Sequence, residues 1–281
     1  MSRVAYVNGR YLPFAEAKVH VEDRGYQLAD GVYEVMAVRG GRLRRAERHM
    51  ARLDRSLAAL RIPLPLSHKA LQVIVAEVVR RNRIADGMVY LQITRGVAKR
   101  EHAFPKSVKP SVVLTARATR PRTAEWRSGV AVITIPDIRW KRPDIKSVSL
   151  LPNVLGKQQA VEAGAHEAWM VDGDGNVTEG TSTNAWIVTK KGELVTRKAD
   201  TAILHGVTRA VLRESAGKHG PKVVERPFSV AEAKAAAEAF LTSTTSAVMP
   251  VVKIDDAVIG DGTPGPVTRR LMALLERNGD G

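Results

Sequence analysis

A chain of 281 residues, 44% hydrophobic and 26% charged, is long enough for two ordinary domains and has the composition of a globular protein in water. It has no cysteine, which excludes disulfides, thiol catalysis and Cys-ligated metal, and no apolar run of about 18 residues that would span a membrane. The formal net charge of +15 raises nucleic acid as a partner, but the basic residues are scattered in small groups, aromatics are only 5%, and the excess reads as solvated surface with some attraction for small anions.

The amino terminus, Met1-Ser2-Arg3-Val4-Ala5-Tyr6, lacks the apolar stretch of a signal peptide, so a cytoplasmic location is expected. Residues 4–12 read as a hairpin, with Asn8-Gly9 supplying the positive φ angles of a tight turn. Residues 31–38 form a strand pattern ended by Gly40-Gly41. Over 47–60, Met50, Leu53, Leu57 and Leu60 recur at helical spacing. Ser67 caps a second helix whose buried stripe is Leu71, Ile74, Val75 and Val78. Strands at 88–95 and 111–116 complete an α+β domain over 1–117. Residues 118–124, polar and containing Pro121, are the expected linker to a second domain at 125–281.

In that second domain, 130–135, 167–171, 184–189 and 193–196 read as strands. The run Asp172-Gly173-Asp174-Gly175-Asn176 is a hairpin turn; it lacks the ligand spacing and final glutamate of a calcium loop, and no metal site is expected. Gly206-Val207-Thr208 stands where a helix begins. Its free N–H groups and the Thr208 hydroxyl suit a phosphate, although Thr208 reads equally well as a residue near a helix cap. Ser229 with Glu232 forms a capping box ahead of an alanine-rich helix, and Pro264 opens a final amphipathic helix through Leu271, Leu274 and Leu275.

Two further side chains stand out for their surroundings. Glu179 sits in Val177-Thr178-Glu179-Gly180-Thr181-Ser182-Thr183-Asn184, where a buried carboxylate beside glycine and hydroxyls needs a cationic partner. Lys146 sits in Asp144-Ile145-Lys146-Ser147. Taken singly, they read as a solvated glutamate in a polar turn and one of 44 basic residues. Their flanks change the weighting. In order along the chain come Glu22-Asp23-Arg24-Gly25-Tyr26-Gln27, Asp30-Gly31-Val32-Tyr33-Glu34-Val35, His49 with Arg52-Leu53, and Thr94-Arg95-Gly96 with Arg100 and His102. Asp137-Ile138-Arg139-Trp140, the Lys146 run, Asn153, the Glu179 run, Gly206-Val207-Thr208-Arg209, Ser243-Thr244-Thr245 and Pro264-Gly265-Pro266-Val267-Thr268 follow. Together these pieces closely resemble the class IV, fold-type-IV aminotransferases, and within them the D-amino-acid aminotransferases.

The resemblance implies a two-domain α+β fold of the D-amino-acid aminotransferase type, its second domain α/β with a barrel-like sheet. It implies pyridoxal 5'-phosphate as cofactor, a homodimer, and amino and 2-oxo acids as substrates, with neither nucleic acid nor membrane as partner. Lys146 would form the Schiff base and move protons, and Glu179 would keep the pyridine nitrogen protonated so that the ring drains carbanion charge. Phosphate contacts fall to Arg52, Val207, Thr208 and Thr244, and Leu204 packs against the ring. Tyr33, Arg100 and His102 clamp the substrate carboxylate; an arginine and a histidine two apart on an extended loop face one way, with fork geometry for a carboxylate. Without the family, Arg52, Arg100 and His102 would read as surface residues.

The activity so implied is amino-group exchange between D-amino acids such as D-alanine or D-glutamate and pyruvate or 2-oxoglutarate. Its rivals are an L-branched-chain or (R)-amine transaminase, an aminodeoxychorismate lyase, or a basic nucleic-acid binder on an old enzyme fold. Three departures stand out: Ala29 where relatives often have glycine, Pro143 before Asp144, and Glu101 between the two clamp residues. Glu101 either discourages acidic substrates or points to solvent.

Overall fold

Alternating burial along 31–39 sets the architecture of the first half. A computed structural model describes residues 3–119, 123–219 and 221–277. It divides into two units, Met1–Arg120 with Ile145–Ser149, and Pro121–Asp144 with Leu150–Gly281.

The first unit begins with β1 (Val4–Val7) and β2 (Arg10–Pro13), a hairpin turning at Asn8 and Gly9, whose φ angles are 46° and 93°. Then follow α1 (Arg24–Leu28), β3 (Gly31–Arg39), β4 (Arg42–Leu43), α2 (Ala46–Ala59), α3 (His68–Arg81), β5 (Gly87–Thr94) and β6 (Ser111–Ala118). The strands form one antiparallel sheet in the order β2-β1-β6-β5-β3-β4. With a period of two, Val32, Met36 and Val38 face the helices, where they join Met50, Leu53 and Leu57 of α2 and Leu71, Val75 and Val78 of α3 in one apolar core. Tyr33, Val35 and Ala37 lie on the other, half-buried face.

The chain re-enters this unit late. Ile145 is buried in its core, Ser147 bridges Val32, Tyr33 N donates to the Lys146 carbonyl at 2.9 Å, and Val148 N donates to the Gly31 carbonyl at 3.0 Å. These bonds pair 146–148 with the open edge of β3 and satisfy its otherwise unmatched backbone groups. A single cut at the linker therefore does not describe the units: the Lys146 segment, expected in the second domain, packs with the first. Of the expected linker 118–124, residues 120–122 lie outside the described residues, Ala118 still belongs to β6, and Thr123 opens a helix.

The second unit runs α4 (Thr123–Ser128), β7 (Val130–Pro136), α5 (Leu151–Glu162), β8 (Glu167–Val171), β9 (Val177–Gly180), β10 (Asn184–Val188), β11 (Leu194–Thr196) and α6 (Val207–His219). It continues through β12 (Val223–Glu225), α7 (Val230–Lys234), β13 (Glu238–Ser243), β14 (Ala247–Ile254), β15 (Ala257–Val258) and α8 (Pro266–Arg277). Its mixed sheet has the path β12-β11-β10-β13-β14-β7-β8-β9, with β15 on β14. The β7–β8 and β7–β14 pairs are parallel, as crossover connections require. One face packs around Trp169, Ile187, Phe228 and Leu241, and the other around Trp186, Phe240, Leu212 of α6 and Leu271 of α8.

Two expected helices differ, one in its start and one in its capping box and length. Helix α8 opens at Pro266, two residues beyond Pro264, because the Glu238 carboxylate accepts from Val267 N and Thr268 N at 2.9 and 2.7 Å and caps the first turn from β13. Ser229 does cap α7 by accepting from Glu232 N, but Glu232 turns its carboxylate to Arg226, and the alanine-rich stretch beyond Lys234 leaves the helix for β13.

Candidate active site

In the first unit, the start of β3 presents different chemistry on its two faces. Inward, Glu34 is fully buried on the parity of Val32 and Met36. It accepts Arg52 Nε at 2.7 Å on one oxygen and, on the other, Arg52 Nη2 and His49 Nδ1, each at 2.7 Å. Both partners lie on α2, one turn apart. Burial works against the Glu34 charge, but the Arg52 guanidinium and His49 more than offset it and hold the carboxyl at about 2. Burial pushes His49 below its usual value, against its hydrogen bond to Glu34.

On the opposite face, Lys146 Nζ lies 4.2 Å from the centre of the Tyr33 ring. The Tyr33 ring stacks on Tyr90 at 5.7 Å, and Tyr90 donates its hydroxyl to Gln92 at 2.6 Å. Burial, and then Tyr33 beside it, push the Tyr90 hydroxyl up to about 12, so the phenol stays protonated. Lys146 is fixed through its backbone, since its N–H donates to Ser56 Oγ of α2 at 3.1 Å and its carbonyl accepts from Tyr33. Its side chain is only half buried, which leaves the ammonium open to chemistry.

Arg100 and His102 lie on the loop between β5 and β6 and are both exposed. Neither hydrogen-bonds Tyr33 among the described residues, as is expected of groups that would each meet a substrate carboxylate rather than one another. Glu101 folds back, its Oε1 accepting from His102 N at 2.7 Å.

In the second unit, the turn from β7 and the strands β9 and β10 converge on Glu179, which is 4% exposed. One of its oxygens accepts from Arg139 Nη1 and from Leu204 N at 2.9 Å; the other accepts from Asn184 Nδ2 at 2.8 Å. Arg139 also forks onto Asp137, with Nε at 2.9 Å and Nη2 at 2.7 Å, and Thr178 donates to Asp137 at 2.7 Å. Two carboxylates thus share one guanidinium in a buried site. Burial pushes the Glu179 carboxyl up, opposed by Arg139 and the Leu204 N–H. For Asp137, burial is outweighed by Arg139, which holds it below the usual range. With both carboxyls ionised, the cluster would carry one negative charge more than its guanidinium balances, and burial without a further cation is what pushes Glu179 up. A carboxylate has about four acceptor positions, and three are filled here, so Glu179 retains one for a cationic donor.

Beside this cluster, Gly206 precedes α6. A Cβ there would stand 2.0 Å from Asn184 Oδ1, so only glycine allows the Asn184 amide to reach both Glu179 and the Leu204 carbonyl. Val207 and Thr208 are buried in the first turn of α6, where N–H groups lack intrahelical acceptors. Thr244 lies half-buried in the turn between β13 and β14, and α6 packs on β13.

Eight of the ten sequence-expected residues therefore fall into two sets, Tyr33, Arg52 and Lys146 at the start of β3, and Glu179, Leu204, Val207, Thr208 and Thr244 around the head of α6; Arg100 and His102 are on the exposed loop between β5 and β6. The supporting Glu34, His49, Asp137, Arg139 and Asn184 all lie in runs quoted above, but sequence reading gave them no role. Two signals were available: a charged residue on the inward parity of β3, and the two-residue spacing of Asp137 and Arg139 at a strand end.

The sequence model of the class IV amino-transferases matches residues 31–254. Among curated proteins, a D-alanine aminotransferase from Bacillus licheniformis is 41% identical over 271 residues, covering 96% of this chain and 95% of that protein. Among solved structures, the Escherichia coli branched-chain amino acid aminotransferase superposes with a TM-score of 0.91 at 23% identity, covering 99% of this chain and 95% of that one. A T.th. branched-chain amino acid aminotransferase with pyridoxamine 5'-phosphate gives 0.88 at 27% identity, covering 98% and 94%.

Proposed function

This chain belongs to the class IV aminotransferases, and from that premise we propose that it exchanges amino groups between D-amino acids, D-alanine foremost, and 2-oxo acids such as pyruvate and 2-oxoglutarate. The family's cofactor is pyridoxal 5'-phosphate, which when bound supplies an electron sink for the substrate's α-carbon. The residues present fit it. The excess charge of the ionised cluster and the spare acceptor of Glu179 suit a protonated pyridine nitrogen, and the head of α6 with Thr208 and Thr244 suits a phosphate. That buried pair of carboxylates around one guanidinium is the observation that carries the reading.

Lys146, half-buried and held by backbone on both sides, would hold the cofactor and, as a free amine, would take up a proton from the substrate's α-carbon. Glu179 would keep the ring nitrogen protonated, and Asn184 and Arg139 fix the orientation of its carboxylate. The resemblance gives phosphate contacts to Arg52, which Glu34 aims, and to Val207 and Thr208, and it gives Leu204 a place against the ring. Tyr33, Arg100 and His102 receive the substrate carboxylate. A homodimer and a cytoplasmic location belong to the same reading; exposed Val21 and Tyr26 supply apolar surface for self-association, which sedimentation tests directly.

The deciding experiment incubates the pure protein with D- and L-amino acids and 2-oxoglutarate. Turnover of D-alanine far above L-alanine and L-leucine is expected. Equal rates with D- and L-leucine would replace the D-specific reading with the L-branched-chain one.

A further inference from the structure

Residues 99–104 are all exposed, so core packing does not order the stretch that carries Arg100 and His102. It is nevertheless tied down at both ends by buried charge. Arg24, 2% exposed although it opens a five-residue helix, donates Nη1 to the Glu101 carbonyl at 2.5 Å and Nη2 to the His102 carbonyl at 3.5 Å. Its Nε donates to Asp30 at 2.8 Å. Asp30 also receives Arg95 Nε and Nη2 at 2.7 and 3.0 Å, and Arg95 in turn binds the carbonyls of Leu60 and Arg61 just beyond α2. At the far end of the stretch, the Phe104 ring lies 3.6 Å from the Arg95 guanidinium and 4.7 Å from that of Arg61. Asp30 is pushed up by burial but held low by its two arginines, so the frame keeps its charges at working pH.

We propose that Arg24 is a positioning residue for carboxylate-bearing substrates. Through the backbone of Glu101 and His102 it sets where the Arg100 and His102 side chains stand, while Asp30 and Arg95 set where Arg24 stands. The proposal rests on the reading that Arg100 and His102 receive the substrate carboxylate. A pre-ordered loop binds without the entropy loss of ordering it, and small displacements of a clamp are expensive in rate.

The test compares Arg24→Lys, which keeps the charge beside Asp30 but loses the fork, with Arg24→Met, Phe104→Leu and, as reference, Arg100→Ala. For the three loop variants, KM for D-alanine is expected to rise about 10-fold to 100-fold with kcat within about threefold, because the chemical step is untouched once substrate is held. A staple needed only for folding would lower kcat through a smaller active fraction and leave KM alone. That result would overturn the proposal. So would an unchanged KM in Arg24→Lys and Phe104→Leu while Arg100→Ala raises it, and the clamp reading would then survive. If Arg100→Ala leaves KM unchanged, the clamp reading itself fails and this inference falls with it. Should Arg24→Met fail to fold, the lysine and Phe104 variants still decide.

Discussion

Lys146 and Glu179 carry separable roles, and substitution tells them apart. Lys146→Ala is expected to remain folded, because its structural ties run through its backbone to Ser56 and Tyr33. Borohydride reduction followed by peptide mapping should put the phosphopyridoxyl label on Lys146 in the unmodified protein and on no lysine in the variant; a label elsewhere removes the assignment. Glu179→Gln keeps the size but removes one of the two charges that share Arg139. Turnover is expected to fall by about 100-fold or more with cofactor retained, since a neutral pyridine is a poor electron sink. Near-normal turnover would mean that the carboxylate serves only Arg139. Both residues are legible in the sequence because recognisable runs bracket them. Arg139 lies in a recognisable run too, but its role does not show there, since it meets Glu179 across 40 residues of chain and is one of many arginines in a chain of net charge +15.

Among elements, β3 and α2 are joined by charge as well as by packing. Glu34 has a folded-state value of about 2 against an ordinary 4.5, so its pairing with Arg52 and His49 stabilises fully above about pH 4.5. That contribution is lost as pH falls towards 2. Thermal stability should therefore fall with acid over this window, and less so in Glu34→Gln, which loses the titration and is weaker above about pH 4.5, where Arg52 loses its buried charged partner, with the deficit closing towards pH 2. Equal acid slopes would remove the network from the account. Periodicity shows both elements, because Met50, Leu53 and Leu57 repeat at helical spacing and β3 alternates. It hides their tie, since Glu34 breaks the alternation and its partners come from another element. At the close of α1, Ala29 takes the left-handed conformation with φ of 53°. That is the backbone region that favours glycine. Ala29→Gly is expected to stabilise by about 0.5–1 kcal/mol, the steric relief slightly exceeding the added chain entropy. Urea unfolding measures it, and a loss of stability would show that the turn is unstrained.

For the molecule as a whole, the first unit ends at Arg120, inside the expected linker, but chain order and packing part company at Ile145–Ser149. No composition shift marks Ile145–Ser149, because only pairing with β3 and the burial of Ile145 place that segment in the first unit. The net charge of +15 was legible from the start, and its consequence is kinetic. Surface cations attract an anion in proportion to its charge, and salt shortens their reach from about 30 Å at 0.01 M to about 8 Å at 0.15 M. Under the proposed activity, 2-oxoglutarate is a dianion, pyruvate a monoanion and D-alanine a zwitterion with no net charge. Raising ionic strength across that range should lower kcat/KM several-fold for 2-oxoglutarate, by about the square root of that factor for pyruvate, and scarcely at all for D-alanine. Steady-state kinetics in graded potassium chloride reads all three slopes on one preparation. A common slope for the three would trace the effect to salt acting on the protein's stability, and leave its excess charge with no part in substrate capture.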